Sequence, residues 1–102
     1  MPRIEQIERM LASSPDDVFL NFALAMEQVK VGRQEQAVAG FRRVIELDPD
    51  YVPAYTQLSN ALIDLGRKEE AKAVLASGVE AAARAGDKHA AGKMGDKLKL
   101  LE

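Results

Sequence analysis

Pro15 and Pro49 stand thirty-four residues apart, and four further pairs keep the same interval: Leu24 with Leu58, Gly32 with Gly66, Ala37 with Ala71, and Phe41 with Leu75. One such pair carries little information, whereas five in a single register mark an internal duplication. Leu11, Ile45 and Val79 carry the register over three copies, so the residues ahead of Pro15 read as the second half of an earlier unit. A unit of this size cannot hide its apolar face alone, so the chain must stack one packing solution on the next.

Each full unit reads as two helices. Leu24, Ala25 and Val29, and likewise Leu58, Ser59, Leu62 and Ile63, recur at spacings of three and four and fall on one helical face. Gly32 and Gly66 follow, where a residue that tolerates positive φ ends the helix and turns the chain. Ala37, Phe41, Val44 and Ile45, then Ala71, Val74 and Leu75, write the second helices. Asp16 or Asp17 is the expected N-cap before "VFLNFAL", Asp50 lies near the start of the next first helix, and Pro53 suits a first turn. Arg33 and Arg67 stand where a cap would help the second helices, but Arg has no acceptor for a free N–H, so those starts must rely on packing.

Few aromatics, 5% of residues, leave a core of Leu, Val, Ile, Met and Ala, a mixture that favours helices. At 102 residues one domain is expected. Fourteen basic against sixteen acidic side chains give no general grip on phosphate backbones or anionic lipid. The absence of cysteine removes disulfides, thiol nucleophiles and thiolate metal sites. No stretch approaches the ~20 apolar residues of a membrane span, and "MPRIEQIERML" lacks a signal-peptide core, so a cytoplasmic protein is the expectation.

Tyr55, Leu58, Ser59, Leu62, Ala71 and Leu75 in the second unit, and Leu24, Ala25, Ala37, Phe41 and Pro49 in the first, together resemble the tetratricopeptide repeat. Small Ala25 or Ser59 lets the helices of a hairpin approach while larger residues fill the flanks. Asn21 and Gln28 depart from the pattern at its bulky and aromatic positions, and Ala83 replaces the Pro that would end the second unit, so "EAAARA" is expected to extend that helix to Gly86. The pattern restarts over 91–98 if two residues are inserted. The expected fold is all-α, a helical-hairpin solenoid of six helices: a half-repeat helix over 3–14, one repeat over 17–50, a second over 51–86, and a capping helix over 87–100.

Chemistry is thinly signalled. His89 is the only histidine, and Asp87 two positions away does not face it on a helix. Ser13, Ser14, Ser59 and Ser77 have no partner motif, and "GDKHAAGKMG" lacks phosphate-loop spacing and a preceding strand. No catalytic residue, cofactor or metal site is expected. Lys88, Lys93, Lys97 and Lys99 interleave with Asp87 and Asp96 without stacking aromatics, which reads as a solvated helix face rather than a nucleic-acid or membrane surface.

The resemblance implies that the first helices of successive hairpins line a concave surface that captures a peptide or helix. Carried onto this chain, that surface holds Phe19, Phe22, Ala23, Met26 and Lys30 in the first unit, and Thr56, Gln57, Asn60 and Asp64 in the second. Phe19, Phe22, Met26 and Val29 recur at helical spacing beside the hairpin stripe, so an exposed apolar patch is expected there. Some relatives hold acidic C-termini of heat-shock chaperones with Lys, Asn and Arg on the groove; Phe22 and Met26 replace the first Lys and Asn here, which leaves a terminal carboxylate poorly held. The leading expectation is a non-catalytic scaffold for a protein or peptide partner. The alternatives are a homodimer built on that patch or an end helix and, less favoured, a nucleic-acid binder using the basic helix.

Overall fold

The computed structural model describes residues 2–102. Among the described residues there are six helices: α1 (Pro2–Ser13), α2 (Val18–Lys30), α3 (Gln34–Leu47), α4 (Val52–Asp64), α5 (Lys68–Arg84) and α6 (Lys88–Leu101). Each packs against the next in sequence, and α2 also touches α4. The molecule measures 39 × 29 × 18 Å, and its thinnest dimension accommodates two layers of helices about 10 Å across. First helices α2, α4 and α6 form one layer, while α1, α3 and α5 form the other. The expected all-α hairpin stack is therefore what forms.

Three glycines turn the chain by one device. Gly32, Gly66 and Gly86 have φ of 82°, 74° and 74°. At the first, the amides of Gly32 and Arg33 donate to the carbonyls of Val29 and Gln28; Gly66 with Arg67, and Gly86 with Asp87, repeat the arrangement. This is the Schellman closure, which satisfies carbonyls a helix end leaves free. The third copy explains how α5 stops without the expected Pro: it runs to Arg84, and Gly86 ends it. Starts at Val18, Val52 and Lys88 show the two-residue insertion before α6.

The Asp17 carboxylate caps α2 by accepting from the Leu20 amide at 2.8 Å, and Asp87 caps α6 through Ala90 at 3.0 Å. Arg33 and Arg67 make no side-chain cap bond, as their chemistry requires. Asp50 is not a cap: Tyr51 occupies that position, and Asp50 instead accepts from Arg84 Nε at 2.9 Å. Asp16, its equivalent one repeat earlier, accepts from Arg43 at 2.6 Å. In both units the second helix is thus tied back to the turn that precedes the hairpin.

Asn21 is the most informative departure from the repeat pattern. Its amide donates to the Pro15 carbonyl at 3.0 Å and the Asp17 carbonyl at 2.8 Å. Tyr55, thirty-four residues on, donates its hydroxyl to the Pro49 carbonyl at 2.6 Å. Asn21 therefore fastens the same turn from the same position with a shorter side chain.

Phe41, Leu58, Leu62, Leu75 and Val44 are the large side chains sealed at the centre. Helix-interior glycines allow the closest approaches. A Cβ at Gly40 would stand 3.0 Å from the Ala25 Cβ, and one at Gly78 would stand 2.8 Å from the Tyr55 Cβ and 2.6 Å from Met94 Sδ. Gly78 is where α4, α5 and α6 meet.

Outside the core, Arg67 links the second-layer helices by hydrogen-bonding Glu35 at 2.8 Å and Glu70 at 2.6 Å, while Arg42 reaches Glu70 at 3.1 Å. The Arg67 hydrogen bond, opposed by partial desolvation and reinforced by both cationic charges, holds the Glu70 carboxyl below the usual carboxylate range. A carboxyl lowered on folding stabilises the fold above its unfolded pKa, about 4.3, and loses that contribution as pH falls through the lower folded value. The melting midpoint should thus hold level from neutral pH to about 5 and fall below about 4. Glu70→Gln should flatten that acid limb, as thermal melts across the pH series would show. Because the site is open to solvent, the change is small.

Candidate functional site

The residues expected to meet a partner lie on α2 and α4, and their surroundings are less uniform than the apolar periodicity suggested. Phe19 is 67% exposed. Phe22 is only partly exposed, because its ring packs on Phe41 at 5.7 Å and on Tyr51 at 5.2 Å between centroids, both tilted. Met26 also leans on the core. The broad Phe/Met patch expected from sequence is therefore narrower: Phe19 projects, while Phe22 and Met26 form a shallow apolar floor beside it. The physical reason is Tyr51, which comes from the next repeat and covers one side of Phe22.

Lys30, at the far end of α2, pairs with Glu27 at 3.0 Å, and Arg3 of α1 reaches the same carboxylate at 3.3 Å. The Lys30 hydrogen bond, with help from Arg3, holds the Glu27 carboxyl down. On α4, Gln57 and Asn60 are half-buried and Asp64 is exposed. The face thus changes from apolar on α2 to amide-lined on α4.

Next along the layer, α4 and α6 enclose a cleft of about 320 Å³. Thr56, Ser59 and Asn60 line one wall; His89, Lys93, Met94 and Lys97 line the other, with Leu75 of α5 behind. Lys97 Nζ donates to the Asn60 amide oxygen. The cations of α6 read from sequence as solvated, and Lys93 is exposed and Lys97 half-buried at the edge of this cleft, where the glycine turn at Gly86 lays α6 beside α4. Sequence reasoning named Asn60 but did not place these lysines opposite it.

A larger cleft, about 770 Å³, opens on the other layer between α3 and α5. Its rim cation Arg42 already binds Glu70, and Tyr55 and Leu58 in its floor belong to the core. Size alone does not make it the better site, since it offers no unpaired cation to orient a ligand. His89 is exposed, and Ser59 donates its hydroxyl to the Thr56 carbonyl at 2.9 Å. Among the described residues, no group of three or more His, Cys, Asp or Glu is placed to hold a metal ion. Among them also, no helix is long and apolar enough to cross a membrane.

Comparison with known proteins agrees with this architecture. The tetratricopeptide repeat profile matches residues 28–93. A TPR repeat-containing protein of Pseudomonas aeruginosa is 32% identical over 99 residues, covering 97% of this chain and 94% of its own. The solution structure of a tetratricopeptide repeat domain protein from Salinibacter ruber superposes with a TM-score of 0.80 at 33% identity, over 86% of this chain and 89% of that one. The TPR2B domain of yeast Sti1, in its pHsp70 complex, has the same fold, with a TM-score of 0.86 at 22% identity over 96% of this chain and 78% of that one. With its duplicated hairpins, glycine turns and small-residue contacts, the chain belongs to the tetratricopeptide repeat family.

Proposed function

We propose that this protein is a non-catalytic scaffold that captures a segment of another protein along the face formed by α2, α4 and α6. The observation that carries the reading is the exposed Phe19 ring beside the shallow floor of Phe22 and Met26, continued by the half-buried amides of Gln57 and Asn60. An apolar anchor next to side chains that donate and accept hydrogen bonds suits an extended or helical peptide. Lys30 and Asp64 bound the face. A structural neighbour in complex with pHsp70 supports protein binding as the general role of the fold.

Selection from a display library of random twelve-residue peptides tests the reading. Peptides that bind wild type should weaken by about tenfold with Phe19→Asp, an exposed change that spares the core, and also with Met26→Lys. Unchanged affinity in both variants would contradict it. A second reading, self-association, is favoured by Met10 on α1 and Leu100 on α6, which are 55% and 86% exposed. Light scattering across a wide concentration range decides it: a mass that doubles in wild type and stays monomeric in Met10→Lys with Leu100→Lys would establish a dimer through the end helices.

A further inference from the structure

The cleft between α3 and α5 lies on the layer opposite Phe19, and its lining favours a different kind of occupant. Ile45 and Val74 form an apolar floor, and the methyls of Ala39 and Ala73, thirty-four residues apart, leave the space above it open. Of the charged groups on its rim, Arg42 donates to Glu70 at 3.1 Å, and Glu70 also accepts from Arg67 at 2.6 Å. Glu46 is the least compensated. It is exposed, and its ion-pair partner Arg43 stands 3.9 Å away while donating to Asp16 at 2.6 Å. Such a cleft suits an apolar group that brings its own positive charge.

A second copy of the chain supplies that group. Leu100 of α6 is more exposed than Phe19 or Met10. A single leucine in water is ordinary, but its surroundings are not. Of the fourteen basic and sixteen acidic side chains, α6 holds four lysines and one aspartate, leaving ten basic and fifteen acidic in the rest of the chain. No other described helix carries a net positive charge. The α6 end of one copy is therefore attracted to the acidic body of another. Phe19, by contrast, follows Asp16 and Asp17 and would bring carboxylates toward Glu46 and Glu70.

We propose that Leu100 of one copy seats between Ala39 and Ala73 in the α3–α5 cleft of another, on Ile45 and Val74, with the α6 lysines of the first facing Glu46 of the second. This rests on the self-association reading and gives Leu100 a receiving site away from the end helices. The two surfaces differ, so the contact is heterologous. Because the cleft is on the second layer, the receiving copy keeps its first-helix face open and can hold a peptide segment and another copy together.

The test uses two variants of the full chain, each keeping one half of the contact. Leu100→Lys keeps the cleft and loses the apolar side chain; Ala73→Arg keeps Leu100 and fills the cleft with a long cationic one. Position 73 is exposed and Arg suits a helix, so the fold should survive, which circular dichroism checks. At concentrations where light scattering finds wild type above the monomer mass, each variant alone should stay monomeric. An equal mixture of the two should return to twice that mass, as pairs that cannot extend. Glu46→Lys should raise the concentration needed for wild-type-like association by about tenfold at low salt. A mixture that stays monomeric would overturn the proposal. So would either variant associating alone as wild type does; if that variant is Ala73→Arg and Leu100→Lys is monomeric, only the cleft is removed and an end-helix contact stands. Wild type monomeric at every concentration would overturn both this seat and self-association.

Discussion

Phe41→Ala should destabilise the fold by about 3–5 kcal/mol, the largest single loss in the molecule. Phe41 is fully buried and is the largest side chain so enclosed. It belongs to the same core cluster as Ala25, Ala37 and Leu58, and it meets the Phe22 ring from α2. Truncation removes the apolar transfer energy and leaves a cavity that three helices cannot close together, since each is held by its own turn. For a domain of this size the melting midpoint should fall by on the order of 15 °C or more. Urea unfolding followed by helical circular dichroism would measure it. A change under about 1 kcal/mol would mean that the hairpin core is not packed as described.

Phe41→Ala also has a functional consequence. Phe22 loses one of the two rings that support it, so the apolar floor of the first-helix face loosens even in molecules that remain folded. Peptide affinity should drop under conditions where the variant is fully native.

Gly78→Leu is expected to be nearly as damaging through the opposite error. Overpacking a close-fitted core costs about 1–3 kcal/mol, and this site belongs at or above the upper end. Met94 is flexible and can move its sulfur aside, but the Tyr55 Cβ is fixed to the backbone of α4 and cannot. A side chain at position 78 must therefore push α5 away from α4 or displace α6. Either movement opens the α4–α6 cleft and strains the Tyr55 bond to Pro49. Gly92→Leu is the control: nothing lies within 4 Å of a Cβ there. It should cost no more than the variation expected for an exposed helix position. Equal midpoints for Gly78→Leu and wild type would contradict the three-helix contact.

How much of this was legible in the sequence follows from the kind of interaction involved. The glycine turns and a cap at Asp16 or Asp17 were readable because each is local, a residue type acting on the backbone a few positions away, and the duplication because the same residue types recur in one register. Asn21 read as a defect because the repeat pattern records bulk at that position. Its hydrogen bond to the Pro15 carbonyl depends on reach, which a size pattern does not encode. Gly78 gave a usable signal that periodicity alone did not interpret: it stands thirty-four residues after Val44, and a glycine replacing a buried valine means that something else fills the volume. That something is Met94, displaced from the simple register by the two-residue insertion before α6.

The candidate site was legible in part for the same reason. The resemblance to the repeat family implied the first-helix face, and helical spacing showed only that Phe19, Phe22, Met26 and Val29 recur along one helix. It did not show how much of Phe22 is covered, since Tyr51 arrives from the following repeat. Nor did it show that Lys93 and Lys97 stand opposite Asn60, which depends on how α6 is laid down after Gly86. Both are contacts between units, and a period describes what is inside one.

Amide chemical-shift mapping on isotope-labelled protein, titrated with the tightest peptide from the random library, tests the central claim most directly. The largest perturbations should fall on Phe19, Phe22 and Met26 of α2 and on Gln57 and Asn60 of α4. Perturbations concentrated instead on Ala39, Arg42, Ile45, Glu70 and Val74, across the cleft between α3 and α5, would place binding on the opposite layer and contradict the account.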